Sequence, residues 1–194
     1  MDEISRMRHD MRHHLRTIMS YTQQGKYQEM MEYLQEYASV ITEEEKLICY
    51  CRNMAVDAVI HFYAGELRKK GIPFECDMML PQNIGISDTD LCKIYGNLLE
   101  NAVDAVKDLL PENKPYVKML TKVKNRKLLI EISNPYSNEI QRREKVFYST
   151  KHEGFGIGTA SVAEVVQRMG GYVVFNTEEG IFKVNIFLPV KTVQ

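Results

Sequence analysis

Three groups of residues in this 194-residue chain have types and spacings that could do chemistry. The first is Asn97, Asn101 and Asp104, at i, i+4 and i+7. On a helix these spacings stack side chains one above another on a single face. Stacked asparagines add nothing to helix stability, so the stripe is either a plain polar solvent face or a site. An amide oxygen is a hard donor of the kind Mg2+ accepts. The second group is Gly154-Phe155-Gly156-Ile157-Gly158. Alternating glycines remove Cβ atoms and let backbone N–H groups close on an anion, and a helix that follows adds positive potential. Flexible loops use glycine too, so the run gains meaning only from its place between a loop and a helix. The third is Arg8-His9-Asp10-Met11-Arg12-His13-His14-Leu15. Asp10 is a carboxylate able to orient the His9 imidazole and take its proton while the other ring nitrogen attacks phosphorus. The plain readings of this run are solvated helix surface or a chance metal pair, since His9 and His13 stand at i and i+4. It is not the H-E-x-x-H of a metalloprotease.

Periodicity predicts the elements that must position these groups. Ile4, Met7, Met11, His14, Ile18 and Tyr21 recur at alternating spacings of three and four, a two-per-heptad seam. With Ile4 and Met11 at a and Met7 at d, His14 falls at d inside the seam. His9 then falls at f, furthest from the seam and free to meet a partner. Gly25 interrupts the pattern, and Tyr27, Met30, Met31, Leu34, Tyr37, Val40 and Ile41 begin it again. The result is an antiparallel helical hairpin. A hairpin this short cannot bury its own apolar face, and pairing into a dimeric four-helix arrangement solves that.

From about Ile48 a long helical stretch runs through Val56, Val59, Ile60 and Tyr63 to Leu67 and stops at Lys69-Lys70-Gly71. Phe74–Leu80 reads as a short strand. Asp88 opens a helix running to about Leu110, with Leu91, Ile94, Leu98, Ala102, Ala105 and Leu109 as its apolar stripe. Two alternating runs follow, Tyr116–Lys122 and Lys127–Ser133, around a turn at Lys124-Asn125-Arg126. Pro135–Gly158 is polar, charged and without period, a long loop of the functional kind. Ser161–Met169 reads as a helix. A hairpin closes the chain, Tyr172–Asn176 and Phe182–Leu188 about Glu178-Glu179-Gly180. These elements make an α+β fold: the N-terminal helical hairpin, then an α/β sandwich with a mixed, mostly antiparallel sheet and helices on one face.

Bulk properties exclude several classes. The net charge is −1, so no electrostatic pull toward nucleic acid or membrane is expected. Cys49, Cys51, Cys76 and Cys92 lack C-x-x-C spacing, which leaves a reducing cytosol as the default. No apolar run approaches the ~20 residues that span a bilayer, and Met1–Arg16 is too dense in charge for a signal peptide. The chain starts abruptly inside a helical pattern, as a fragment of something longer would.

Taken together, the asparagine stripe and the glycine run resemble the ATP-binding fold shared by histidine kinases, type II topoisomerases, heat-shock chaperones of the GHKL type and MutL. The resemblance covers about Asn53 to Pro189. Asn97-Leu98-Leu99-Glu100-Asn101-Ala102-Val103-Asp104-Ala105 is similar to that superfamily's N box, and Lys151 through Gly158 to its glycine-rich box. The resemblance implies that Asn101 ligates Mg2+ bridging the phosphates of ATP. It also implies that Gly154, Gly156 and Gly158 flank the triphosphate, and that the loop before them is a lid. Hydrolytic members carry a Glu four residues before the metal asparagine as base for an attacking water. Here that position is Asn97, the histidine-kinase form, which fits transfer to a protein side chain. Where most histidine kinases carry D-x-G, this chain has Ser133-Asn134-Pro135, and the Asn134 amide oxygen can accept the adenine amino group. That variant resembles the quorum-sensing and citrate-type sensor kinases. So does the N-terminal run, similar to their phosphoacceptor box R-H-D-x-x-N-H-L. Arg8, His9, Asp10, His14 and Leu15 match. His13 replaces the Asn that, in such kinases, helps water attack the phosphorylated regulator.

The expectation is therefore an ATP-dependent, autophosphorylating protein-histidine kinase, the cytoplasmic part of a two-component sensor. Residues 1–48 form the dimerisation and phosphoacceptor hairpin and 49–194 the ATP-binding domain. His9 accepts the phosphate and Asp10 is the base. Asn97, Asn101, Asp104, Asn134, Lys151, Gly154, Gly156 and Gly158 bind nucleotide, Asn101 holds Mg2+, and the lid cations Arg143, Lys145 and Lys151 are either further phosphate contacts or plain solvated charges. The expected partners are a second copy through the hairpin and a response-regulator receiver domain, with no nucleic acid and no membrane segment in this chain. The expected location is the cytoplasm, either free or as the fragment of a membrane-anchored sensor. Two rivals stand beside it: a degenerate nucleotide-binding module that docks a regulator without phosphotransfer, and a hydrolytic ATPase of the same fold.

Overall fold

The structure is a computed structural model and describes residues 3–37, 48–136, 142–143, 146–147 and 157–190. The chain divides into two compact units, Met1–Leu47 and Ile48–Gln194.

The first unit holds α1 (Glu3–Gln23) and α2 (Tyr27–Tyr37). Gly25, at φ 66°, makes the turn between them, a conformation that costs glycine little. His14 is half-buried and its Nδ1 lies 2.6 Å from the Tyr33 hydroxyl of α2. The Tyr21 and Tyr33 rings pack with centroids 6.0 Å apart. The seam position expected for His14 is thus a packed, interhelical one. Leu15, Met19, Tyr27 and Met31 remain exposed on this unit. Val40 and Ile41, expected on the second helix, lie outside the described residues.

In the second unit a five-stranded sheet has the order β1-β2-β3-β7-β6. Its strands are β1 (Phe74–Met79), β2 (Val117–Lys124), β3 (Lys127–Pro135), β6 (Tyr172–Glu178) and β7 (Ile181–Pro189). β1 runs parallel to β2 and the other neighbours are antiparallel. Between β3 and β6, Arg142–Arg143 (β4) pairs with Val146–Phe147 (β5) in a separate ladder. Both tight hairpins have two-residue loops with left-handed backbone. In one, Asn125 and Arg126 stand at φ 50° and 58°; in the other, Glu179 and Gly180 stand at 51° and 75°. Positive φ at both loop residues is the type I′ geometry whose twist matches the flanking strands.

The inner face of the sheet follows the alternation of each strand. Met119 and Thr121 of β2 stand beside Ile132 and Ile130 of β3, which stand beside Val184 and Ile186 of β7. All six are buried. Truncating an aliphatic side chain in such a core to alanine costs roughly 2–5 kcal/mol. The outer face is neutralised locally by cross-strand pairs, Glu75 with Lys118 at 2.6 Å and Glu131 with Lys183 at 2.9 Å.

Three helices cover the inner face: α3 (Met54–Lys69), α4 (Asp88–Val106) and α5 (Ile157–Arg168). α4 lies between the other two and packs on β2 and β3. Its N-terminus is capped by Ser87, whose hydroxyl accepts from Asp90 N–H, and Asp90 pairs with Arg168 of α5. α3 ends with Gly71 at φ 67°. There the N–H groups of Gly71 and Ile72 close back on the carbonyls of Arg68 and Leu67, both at 2.9 Å, a Schellman stop.

Three boundaries differ from the sequence reading. α3 begins at Met54, because Asn53 caps it and residues 48–53 run non-helically before it. α4 ends at Val106, and Pro111–Asn113 forms a separate 3-10 turn. α5 begins at Ile157, so Gly158 sits in its first turn and not in the loop. Among the described residues no helix is long and apolar enough to cross a membrane.

Candidate functional site

α4 supplies the centre of the site. Leu91, Ile94, Tyr95, Leu98, Leu99, Ala102, Val103 and Val106 are its buried face, and the amphipathic period forces the polar residues between them onto the flank. Tyr95 anchors the helix to the sheet: it is fully buried and its hydroxyl lies 3.1 Å from the Thr121 hydroxyl of β2. Burial drives the Tyr95 phenol far above its ordinary range, so it stays a neutral hydrogen-bonding group.

The amide stripe divides into three different situations. Asn97 turns back on its own helix, its Nδ2 donating to the Lys93 carbonyl at 2.6 Å. Asp104 is engaged by Lys107 at 2.8 Å. Asn101, between them, is half-buried and is met by α5. A Cβ built on Gly158 would stand 2.8 Å from Asn101 Nδ2 and 2.9 Å from its Oδ1. Real Cβ atoms do not approach this closely, so the amide lies in the space that only glycine leaves. Asn101 and Gly158, far apart in sequence, are therefore brought together where a helix N-terminus begins, and helix N-termini favour anions.

Asn134 ends the inward row of β3, after Leu128, Ile130 and Ile132. It is 1% exposed, and its Nδ2 donates to the Pro135 carbonyl at 2.9 Å. With the amide nitrogen so used, the oxygen is the group left to accept a donor. Tyr63 of α3 is raised by burial and then by the Glu100 and Asp104 carboxylates of α4. It therefore stays a protonated phenol beside the polar flank.

His9 and Asp10 lie on α1, but their side chains are outside the described residues. So are Lys151, Gly154, Gly156 and Lys145, and the side chain of Arg143. Asn53, which the sequence reading used only to mark where the resemblance starts, is a buried polar residue with three hydrogen bonds. Its signal was available: an Asn before Val56, with Asp57 in the first turn, is a helix-start pattern.

The Asn101 oxygen is a hard ligand suited to Mg2+, and Gly158 leaves no side chain beside it in the first turn of α5, so these residues fit a metal–polyphosphate. Among the described residues there is no cluster of three or more His, Cys, Asp or Glu side chains able to hold a metal alone. A metal here would share its coordination with phosphate and water. The four cysteines are free, and burial pushes the Cys51 and Cys76 thiols up to about 11 and about 12.

Comparison with known proteins gives the family and the fold. Residues 86–189 match the family model described as GHKL domain. Sensor protein CitS of Bacillus subtilis (strain 168) is 25% identical over 199 residues, covering 97% of this chain. The chain spans about a third of that protein, 36% of its length. Among solved structures, the catalytic domain of histidine kinase ThkA superposes with a TM-score of 0.54 at 18% identity, over 71% of this chain and 92% of that one. Full-length ShkA in complex with AMPPNP superposes with a TM-score of 0.56 at 19% identity, over 80% of this chain and 33% of that one.

Proposed function

The chain belongs to the GHKL family, and from that premise we propose that it is the catalytic portion of a sensor histidine kinase that transfers the γ-phosphoryl group of ATP to His9. The observation that carries the reading is the Asn101 amide held against Gly158. It joins the N box to the glycine-rich box with a metal-type ligand at the joint.

Asn101 would hold Mg2+, with Asn97 beside it on the same face. The ion, when bound, neutralises charge on the phosphates and draws electron density from the bond to be broken. The glycines of the α5 approach and the α5 N-terminus bind the triphosphate, and the buried Asn134 oxygen accepts the adenine amino group. One nitrogen of His9 attacks the γ-phosphorus and a P–N bond forms. The bond from γ-phosphorus to the bridging oxygen breaks, and ADP leaves with the electron pair. Asp10 orients the ring and takes the proton from its other nitrogen. The phosphoryl group then passes to an aspartate of a response regulator. We further propose that the hairpin pairs two copies and that the chain works in the cytoplasm, as the cytoplasmic part of a longer sensor.

Transfer to a side chain is favoured over hydrolysis by what α4 carries on its polar face. Asn97 stands where a water-activating Glu would be, and its amide nitrogen is committed to Lys93. Asp104 carries Lys107 on its carboxylate. Incubation with γ-labelled ATP and Mg2+ separates the readings. A kinase gives protein-bound label that is labile in acid and stable in base. A docking module binds nucleotide and gives none. A hydrolytic ATPase gives steady phosphate release that survives His9→Gln.

A further inference from the structure

Asn53 is 1% exposed and its amide is bonded on both sides. Its Oδ1 accepts from Val56 N–H at 2.9 Å and so caps α3. Its Nδ2 donates to the Gln82 carbonyl and to Asp88 Oδ1, both at 2.9 Å. Capping alone needs only the first of these bonds. Asp88 lies 35 residues further along and is the first residue of α4, the helix that carries Asn97 and Asn101.

The residues before Asn53 form a strap pinned to neighbouring elements. The N–H groups of Tyr50 and Cys51 donate to Asp57 Oδ1 of α3 at 2.7 and 3.0 Å. Arg52 N–H donates to the Leu80 carbonyl beyond β1 at 3.1 Å. The Tyr50 ring stands edge-on to His61, with centroids 5.1 Å apart. Asn53 therefore ties the opening of α4 to a segment that cannot easily shift. At the other end the tolerance is small, because Asn101 already fills the space beside Gly158. Asn101 lies about 20 Å along the helix axis from Asp88 at 1.5 Å per residue. A tilt of about three degrees at the first turn therefore carries it about 1 Å. Misplacement of that size in a reacting assembly costs on the order of a hundredfold.

We propose that Asn53 is a positioning residue for the metal–nucleotide site, holding α4 through Asp88 so that Asn101 stays against Gly158. The inference rests on the nucleotide reading given above. The test uses the full chain as wild type, Asn53→Ser, Asn53→Asp and the double variant Asn53→Asp with Asp88→Asn. Serine keeps an oxygen for Val56 N–H but has no amide to give Asp88. Two quantities are read: hydrogen exchange of α3 and α4 amides without nucleotide, and the Kd for AMPPNP with Mg2+. For Asn53→Ser we expect α3 protection unchanged, faster exchange in the first turns of α4, and a Kd raised roughly tenfold. Asn53→Asp, which sets two carboxylates face to face, is weaker still. The double variant restores the bond to α4 with donor and acceptor exchanged, without the Gln82 bond, and recovers part of the affinity; a merely structural role for Asn53 would instead speed exchange through α3 and α4 alike. If Asn53→Ser binds the analogue as wild type does, with α4 exchange unchanged, the positioning role is overturned while the functional reading stands. If wild type itself does not bind the analogue, the functional reading falls, and with it the site Asn53 would serve.

Discussion

Asn101 of α4 fills the space against Gly158 of α5: a Cβ on that glycine would lie 2.8 Å from the asparagine's amide nitrogen and 3.2 Å from its Cγ. The atoms in the way are the end of a side chain and not backbone, so the side chain can yield while the fold holds. Gly158→Ala should therefore leave stability within about 1 kcal/mol, because alanine is itself the better helix former. It should weaken Mg2+–AMPPNP binding roughly tenfold or more. Calorimetric titration beside thermal unfolding checks both parts. Loss of affinity only in step with loss of stability would count against the contact.

The two asparagines of the stripe should not be equivalent. The Asn97 amide nitrogen is spent on the Lys93 carbonyl, whereas the Asn101 amide meets Gly158 of α5. Asn101→Ala should abolish the dependence of nucleotide affinity on Mg2+. Asn97→Ala should keep that dependence and lose roughly tenfold less affinity. Titration of each variant with AMPPNP, with and without the metal, decides it. Equal losses would mean that the back-bond on Asn97 does not distinguish them.

Alkali should act through the buried thiols. Burial raises Cys51 from 9.0 to about 11 and Cys76 from 9.0 to about 12. The folded state thus keeps protons that the unfolded state loses above pH 9.0. Stability from this source is complete below that pH and declines as pH rises through the folded values. Denaturant unfolding between pH 8 and 11, about the ordinary thiol range, should show the decline. It should be shallower in Cys51→Ala/Cys76→Ala. An unchanged slope in that variant would assign the decline to other groups.

Much of this architecture was legible because burial and period coincide. α4 reads as a helix since Leu91, Ile94, Leu98 and Ala102 repeat on one face, and the two hairpins read from turn residues between alternating runs. The N box and glycine box could be named, but not their contact, because no local pattern records that Asn101 meets Gly158. The start of α3 is not legible in the sequence for a physical reason. Its apolar spacing is helical, yet Asp57 draws the Tyr50 and Cys51 N–H groups to itself and Asn53 closes the helix behind them. The start of α5 is hidden in the sequence because the glycines up to Gly158 carry a loop signature. In the fold, Gly158 is helical, and its missing side chain makes room for Asn101.

The central claim is transfer of phosphate from metal-bound ATP to a histidine of the N-terminal hairpin. The direct measurement is retention of γ-label on the full chain, with peptide mapping of the labelled site, in wild type, His9→Gln and Asn101→Asp. Acid-labile label is expected on the peptide carrying His9 in wild type alone, with AMPPNP still bound by His9→Gln. Label retained by His9→Gln would overturn His9 as the acceptor.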